Sequence, residues 1–187
     1  MRKTVLVPIA DGSEEIEAVC VIDVLRRAGA DVTVASVDGL QVTASRGVKI
    51  VADRLIADCA AAHFDLIAVP GGMPGAERLR DNPILTQLLM DQQQKGGLIA
   101  AICAAPVVVL AHHGLLKGRR ATAHPAFGQH LAGPGVAASR VVTDNNLITS
   151  QGPGTALEFA LELVRRLFGK NRAGQVAGPM MVSVPQA

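Results

Sequence analysis

Short apolar runs, each too brief for a helix, alternate along this chain with longer amphipathic or buried stretches. That alternation constrains the fold more than any single motif, because it is the pattern of a βαβ series. Lys3–Ile9 reads as a buried strand closed by the turn Asp11-Gly12-Ser13. A helix is predicted over Glu14–Arg27, with acidic residues in its first turn, Arg26 and Arg27 in its last, and Gly29 just beyond. The helix dipole and C-capping favour each of those placements. Asp31–Val37 is a second strand, and Leu40–Thr43 with Val48–Val51 form a side excursion. Phe64–Val69 is a third core strand, ending in Pro70-Gly71-Gly72-Met73-Pro74-Gly75. Ala76–Arg80 and Pro83–Lys95 read as helices, the latter with Pro at its first position. Gly97–Ile102 is a strand running straight into Cys103 and a helix over Pro106–His113. Ala121–Ala123, Val141–Thr143 and Leu147–Thr149 read as short strands, with a turn at Asn145-Asn146. Gly152-Pro153-Gly154 opens a helix over Thr155–Phe168, and the tail from Asn171 begins helix-like. The series predicts one doubly wound α/β domain over residues 1–187, with a mostly parallel sheet.

Composition removes several classes of function. Hydrophobic residues make up 49% of the chain, enough to bury a core without staples. The formal charge is +2 with Lys and Arg scattered, and aromatics are 2%, so neither a basic footprint nor a base-stacking platform for nucleic acid is present. The opening apolar run is too short for a membrane span or a signal segment. Three widely spaced cysteines (Cys20, Cys59 and Cys103) give no disulfide framework. These features predict a cytoplasmic protein with free thiols.

In open parallel sheets, ligands bind outside the carboxyl ends of the strands. Here those ends carry Asp11–Ser13, Pro70–Gly75, Cys103–Ala105 and Thr149–Gly154. Ala100-Ala101-Ile102-Cys103-Ala104-Ala105-Pro106 has the form of a nucleophile elbow built on cysteine: a strand ends, one residue turns the chain, and a helix departs between small neighbours. A helix N-terminus lowers a thiol pKa, although buried packing is the commoner fate of a cysteine. Cys20 and Cys59 lie in apolar helical contexts and read as inert. Glu14 and Glu15 read as first-turn acids that stabilise their helix. Glu17 differs, because it stands among residues expected to be buried (Ile16, Cys20, Val21). A carboxyl there has a raised pKa and can donate a hydrogen bond to a thiolate. His124, after a short strand, is a candidate general base or electrophile for the thiol. His63, His112, His113 and His130 read as surface or helix-end residues, and no metal-ligand spacing is evident, so neither metal nor cofactor is expected.

Taken together, Asp11-Gly12-Ser13-Glu14-Glu15-Ile16-Glu17, Pro70-Gly71-Gly72, the Cys103 segment, Thr122-Ala123-His124-Pro125 and Ser150-Gln151-Gly152-Pro153-Gly154-Thr155 resemble the ThiJ/PfpI superfamily. The resemblance is closest to the branch that holds the parkinsonism-associated deglycase and YajL. It implies a flavodoxin-like, single-domain three-layer sandwich that forms homodimers. It implies that Cys103 matches the family's reactive, oxidisable cysteine, Glu17 its hydrogen-bonding glutamate and His124 its pocket histidine. It also implies that the backbone N–H groups of Gly72 and Ala104 form an oxyanion-type pocket. Asp23 matches a residue suggested to orient His124, and Arg27 and Arg46 match basic residues near the pocket or the dimer seam. Protease-like members carry His directly after the cysteine; here Ala104 stands there, which weakens a Cys-His protease reading.

Two classes of function follow from the resemblance. One is a cofactor-independent glyoxalase or deglycase acting on 2-oxoaldehydes such as methylglyoxal or on glycated groups, with His124 moving protons. The other is a redox-sensing stress protein or chaperone governed by oxidation of Cys103.

Overall fold

Strand β1 (Thr4–Ile9) is buried from Val5 onward, and its alternate side chains serve two different cores. Val5, Val7 and Ile9 point into one and Leu6 into the other, the period-two geometry of a strand covered on both faces. The computed structural model describes residues 2–128, 131 and 139–183. Its main sheet adds β2 (Asp31–Ser36), β5 (Arg54–Leu55), β6 (Leu66–Val69), β7 (Leu98–Ile102), β8 (Val141–Asp144) and β9 (Leu147–Ser150). The strand order is β5-β2-β1-β6-β7-β9-β8, parallel throughout except for β8 against β9. A separate hairpin pairs β3 (Gln41–Thr43) with β4 (Lys49–Val51).

One face of the sheet is covered by α1 (Glu15–Arg27), α5 (Ala156–Phe168) and α6 (Lys170–Ala177), and the other by α2 (Gly75–Asp81), α3 (Pro83–Gln94) and a π-helix over Pro106–Ala111. The protein is therefore a three-layer, flavodoxin-like α/β sandwich. Helix α1 starts where the charge pattern places it. Glu14 caps it by accepting the Glu17 N–H at 2.8 Å, and Gly29 (φ +88°) ends it.

The strand order turns back between β1 and β6, where ligands of doubly wound sheets usually bind. Here that crevice is filled by chain. A Cβ on Gly75 would lie 2.3 Å from the Ser13 N, and one on Gly72 would lie 2.4 Å from the Glu14 N and the Gly12 O. The loop after β1 and the loop after β6 thus pack backbone on backbone, and the open space shifts to the end of β7.

Several expectations change. Ile16 is 56% exposed, because α1 turns Glu17, Ala18, Val21 and Leu25 inward instead. The segment Ala121–Ala123 contributes a single bridge at Ala121 rather than a strand. The helix after Cys103 is a six-residue π-helix. Strand β5 and the 3-10 turn holding Cys59 (Ile56–Cys59) were not anticipated. His113 is half-buried, its Nε2 3.0 Å from the Arg80 O, whereas His63 and His112 are exposed. His130 lies outside the described residues.

Candidate active site

The chain turns between β7 and the π-helix on Cys103 itself, at φ +66°. A non-glycine residue holds that conformation only where its surroundings impose it. They do so from both sides: the Cys103 N–H donates to the Ser150 O at 3.0 Å, and its carbonyl accepts the His124 N–H at 2.9 Å. Small neighbours make room. A Cβ on Gly71 would meet the Cys103 Cβ at 2.7 Å, and Ala104 is buried. The backbone N–H groups of Ala104 and Gly72 both bear on the sulfur, the arrangement expected of an oxyanion pocket.

Glu17 comes from the first turn of α1 and is fully buried. Its Oε2 accepts the Gly71 N–H at 2.8 Å. Its Oε1 meets no N–H or O–H donor, and the Cys103 thiol is the polar group that acts on the carboxyl from the other side. The gap beside it, walled by Val7, Val21, Ile102 and Phe159, has no room for a water. Burial in that setting pushes the Glu17 carboxyl up to about 7, against the pull of the Gly71 N–H and the thiol.

Burial also pushes the Cys103 thiol up, and an ionised Glu17 adds to it, to about 12, while the Ala104 and Gly72 N–H groups pull it down. The expected lowering by the helix N-terminus is thus opposed by burial and by the carboxylate. The two groups form one proton-sharing pair. With the proton on Glu17, the repulsion on the sulfur vanishes and the carboxyl becomes a donor to the thiolate. The other thiols lack such donors: burial raises both, Cys20 to about 11.

His124 precedes α4 (Pro125–Gly128) and lines a cavity of about 440 Å³ together with Cys103, Gly72 and Ala104. Its Nδ1 accepts the Ala126 N–H at 3.2 Å, so the neutral ring carries its proton on Nε2. The ring meets Phe127 edge-on with centroids 6.3 Å apart. Arg46 also lines the cavity. Asp23 and Arg27 do not. They pair with each other at 2.7 Å on the exposed side of α1, so within one chain Asp23 does not orient His124. The described part of the tail packs against α1, with Arg172 donating to the Ala28 O, and does not line the cavity.

Met73 and Phe127 complete an apolar wall that residue spacing did not reveal. Glu15 does more than stabilise its helix. It accepts from the Ser45 hydroxyl and the Arg46 N–H, both at 2.8 Å, and so ties the β3–β4 loop to α1. Among the described residues, no group of three or more His, Cys, Asp or Glu side chains is placed to hold a metal ion.

Known proteins are similar to this chain over nearly its whole length. The chain is 48% identical to Protein DJ-1 homolog B of Arabidopsis thaliana over 96% of its own length, and it spans 42% of that relative. Against Arabidopsis homolog A, also 48% identical, it spans 47%, so it covers about half the length of these relatives. It is 38% identical to the Glutathione-independent glyoxalase DJR-1.2 of Caenorhabditis elegans, covering 96% of this chain and 95% of that protein. The solved structure of oxidized Toxoplasma gondii DJ-1 superposes with a TM-score of 0.95 at 49% identity, covering 97% of this chain and 99% of that one. The DJ-1/PfpI family model matches residues 3–166, a stretch that contains the Cys103 elbow, Glu17 and every loop of the cavity. The chain belongs to the DJ-1/PfpI family.

Proposed function

We propose that the chain is a cysteine-dependent, cofactor-independent glyoxalase or deglycase that acts on 2-oxoaldehydes such as methylglyoxal, or on their early adducts, and so protects against oxidative stress. The observation that carries this reading is the Cys103 sulfur, set on a pinned turn between two backbone N–H donors and a buried carboxyl able to take its proton. The relative named as a glutathione-independent glyoxalase supports the same chemistry.

Glu17 takes the thiol proton as the sulfur attacks the aldehyde carbon, and the Gly72 and Ala104 N–H groups hold the developing oxyanion. Return of that proton to the oxygen gives a hemithioacetal and frees the carboxylate. The carboxylate then removes the hydrogen from C1 and delivers it to C2, converting the hemithioacetal to a thioester through an enediol. His124, whose Nδ1 accepts the Ala126 N–H, presents Nε2–H to the C2 oxygen and moves a proton to and from it as the enediol forms and collapses. Water splits the thioester, restoring the thiol and releasing a 2-hydroxy acid. The net change is one aldehyde plus one water to one hydroxy acid, lactate from methylglyoxal.

Purified protein should form many equivalents of lactate per subunit from methylglyoxal, and Cys103→Ser should form none. The same donors would also steady a sulfinate, which supports redox sensing as a second reading. A sensor consumes about one oxidant equivalent per thiol and yields no lactate, so the lactate count separates the two.

The same proposal includes a C2 homodimer in the cytoplasm. Ile16 (56% exposed) and Val19 (48%) on α1, with Val48 (50%) and Val51 (69%) on the hairpin, are large apolar side chains left open on one chain. Asp23 and Arg27 on α1 would then lie at or near the seam. Light scattering should give twice the chain mass at micromolar concentration; a monomer there rules the dimer out. No helix among the described residues is long and apolar enough to cross a membrane.

A further inference from the structure

We infer that the site is built for 2-oxoaldehydes whose C2 substituent is a branched alkyl or aryl group, and that Met73 and Phe127 form the subsite selecting it. The inference rests on the glyoxalase reading above and names its substrate class. Methylglyoxal presents a single methyl group, whereas the cavity over Cys103 holds about 440 Å³, the scale of a site for a much larger ligand.

The wall is apolar where the substituent must go. In the proposed reaction the C1 oxygen lies at the Gly72 and Ala104 N–H groups, and the C2 oxygen faces His124 Nε2. The remaining bond of C2 carries the substituent, which therefore leaves beside the residues flanking those contacts. Met73 follows Gly72 directly, and Phe127 meets the His124 ring edge-on with centroids 6.3 Å apart. Both line the cavity. Glu14, Ser45 and Arg46, which bring charge and a hydroxyl to the lining, come instead from the start of α1 and the β3–β4 loop.

Met73 is 42% exposed although its side chain is large and apolar. The chain before it is held in place: the Glu14 N–H donates to the Gly71 O at 3.0 Å, and the Ala76 N–H to the Gly72 O at 2.9 Å. A thioether fixed open beside the reactive sulfur keeps apolar surface in water until a ligand covers it. Phe127 is fixed as well. Its N–H donates to the His124 O at 2.8 Å, and its ring packs on the core beneath α2 and α3. An unbranched methionine adapts to what it covers, so the pair accepts branched and aromatic groups alike. A methyl group covers little of this surface, and each further carbon buried there releases water.

Initial rates with isobutylglyoxal and methylglyoxal test the subsite on the wild type, Met73→Gln, Phe127→Ala and Met90→Gln. Met90 is the control, an exposed methionine of α3 that does not line the cavity. The balance is that of the parent reaction, one aldehyde plus one water giving one leucic acid. Wild type should show a kcat/KM about tenfold higher for isobutylglyoxal, expressed in KM, because an apolar contact made equally in ground and transition states acts there. Met73→Gln and Phe127→Ala should each cut that ratio about fivefold or more, and Met90→Gln should leave it. The ratio compares two substrates in one preparation, so any loss of folded protein cancels. No preference for isobutylglyoxal in the wild type, an unchanged ratio in either cavity variant, or an equal fall in Met90→Gln would each overturn the inference. Ligand-observed NMR with leucate against lactate, two acids of equal charge, reads the subsite without turnover. Tighter leucate binding that is lost in Met73→Gln, in a protein that forms no hydroxy acid, would uphold the subsite while the glyoxalase reading fails. Methylglyoxal turnover without discrimination between the two aldehydes would end the inference alone.

Discussion

Gly72→Ala should cost about 3 kcal/mol or more of stability and, in whatever protein still folds, about a hundredfold in rate. Gly72 sits at φ +87°, and its missing Cβ would stand 2.4 Å from the Glu14 N and the Gly12 O. Both neighbours are backbone in a loop held by the Glu14 N–H to Gly71 O bond at 3.0 Å, so neither can yield cheaply. Any accommodation would move the Gly72 N–H away from the Cys103 sulfur. Gly154→Ala is the matched control, because a Cβ there meets nothing within 4 Å. It should stay within about 0.5 kcal/mol of wild type. Urea unfolding of both variants checks the first claim, and initial rates with methylglyoxal check the second. A Gly72→Ala protein as stable as Gly154→Ala would mean that the two loops do not pack as described.

The Glu17 variants should separate its charge from its hydrogen bond. Burial and an ionised Glu17 beside the sulfur together push the Cys103 thiol up to about 12, so Glu17→Leu, which removes that charge, should let the thiolate form at lower pH than in wild type. Glu17→Gln removes the charge and keeps a donor, and should lower the titration further. A rise in Glu17→Leu would mean that Glu17 holds its proton against the thiolate and that the carboxylate is not the base. Thiolate absorbance against pH, with Cys103→Ser as blank, reads the sign. Stability gives an independent measure. The folded-state pKa of Glu17 is raised from 4.5 to about 7, so its contribution is fully present below 4.5 and is lost as pH rises through 7. Glu17→Gln has no such titration. Between pH 5 and pH 8 the stability difference should therefore move in the variant's favour by roughly 2 kcal/mol.

Strands β1, β2, β6 and β7 were legible because a parallel sheet covered on both faces needs unbroken apolar runs, and such runs stand out. Helix α1 was legible in its ends but not in its rotation. With Ile16, Val19, Cys20, Val21, Ile22, Val24 and Leu25 all apolar, no polar face sets the phase, so Ile16 was assigned to the interior and lies 56% exposed. A π-helix and an α-helix draw on the same residues, and the Pro106–Ala111 run does not distinguish them. Strand β5 is two exposed residues held by backbone pairing with Ala35 and Ser36, which leaves no side-chain signature.

In the site, Cys103 was legible from its small neighbours, because the turn admits nothing larger. Glu17 was legible as a buried acid, but its partner Gly71 lies 54 positions away and no local rule links them. The same distance hid the grip of Glu15 on Ser45 and Arg46. Within one chain, the pairing of Asp23 was also legible. Arg27 follows it by four positions, the spacing at which helical side chains of opposite charge pair.

The thiol's surroundings are assembled from distant parts of the chain, and this bears on how the protein is made. Glu17 needs the Gly71 N–H, and Cys103 is pinned by the Ser150 carbonyl through the pairing of β7 with β9. A chain emerging from the ribosome therefore carries Cys103 as an unpinned thiol on an incomplete sheet until β9 has been synthesised and docked. Oxidants and aldehydes that reach it in that interval meet generic cysteine chemistry, without the carboxyl or the paired N–H groups. Damage at Cys103 during synthesis and reaction at Cys103 in the finished protein are thus different events at one atom, distinguishable by whether the modified chain was already folded.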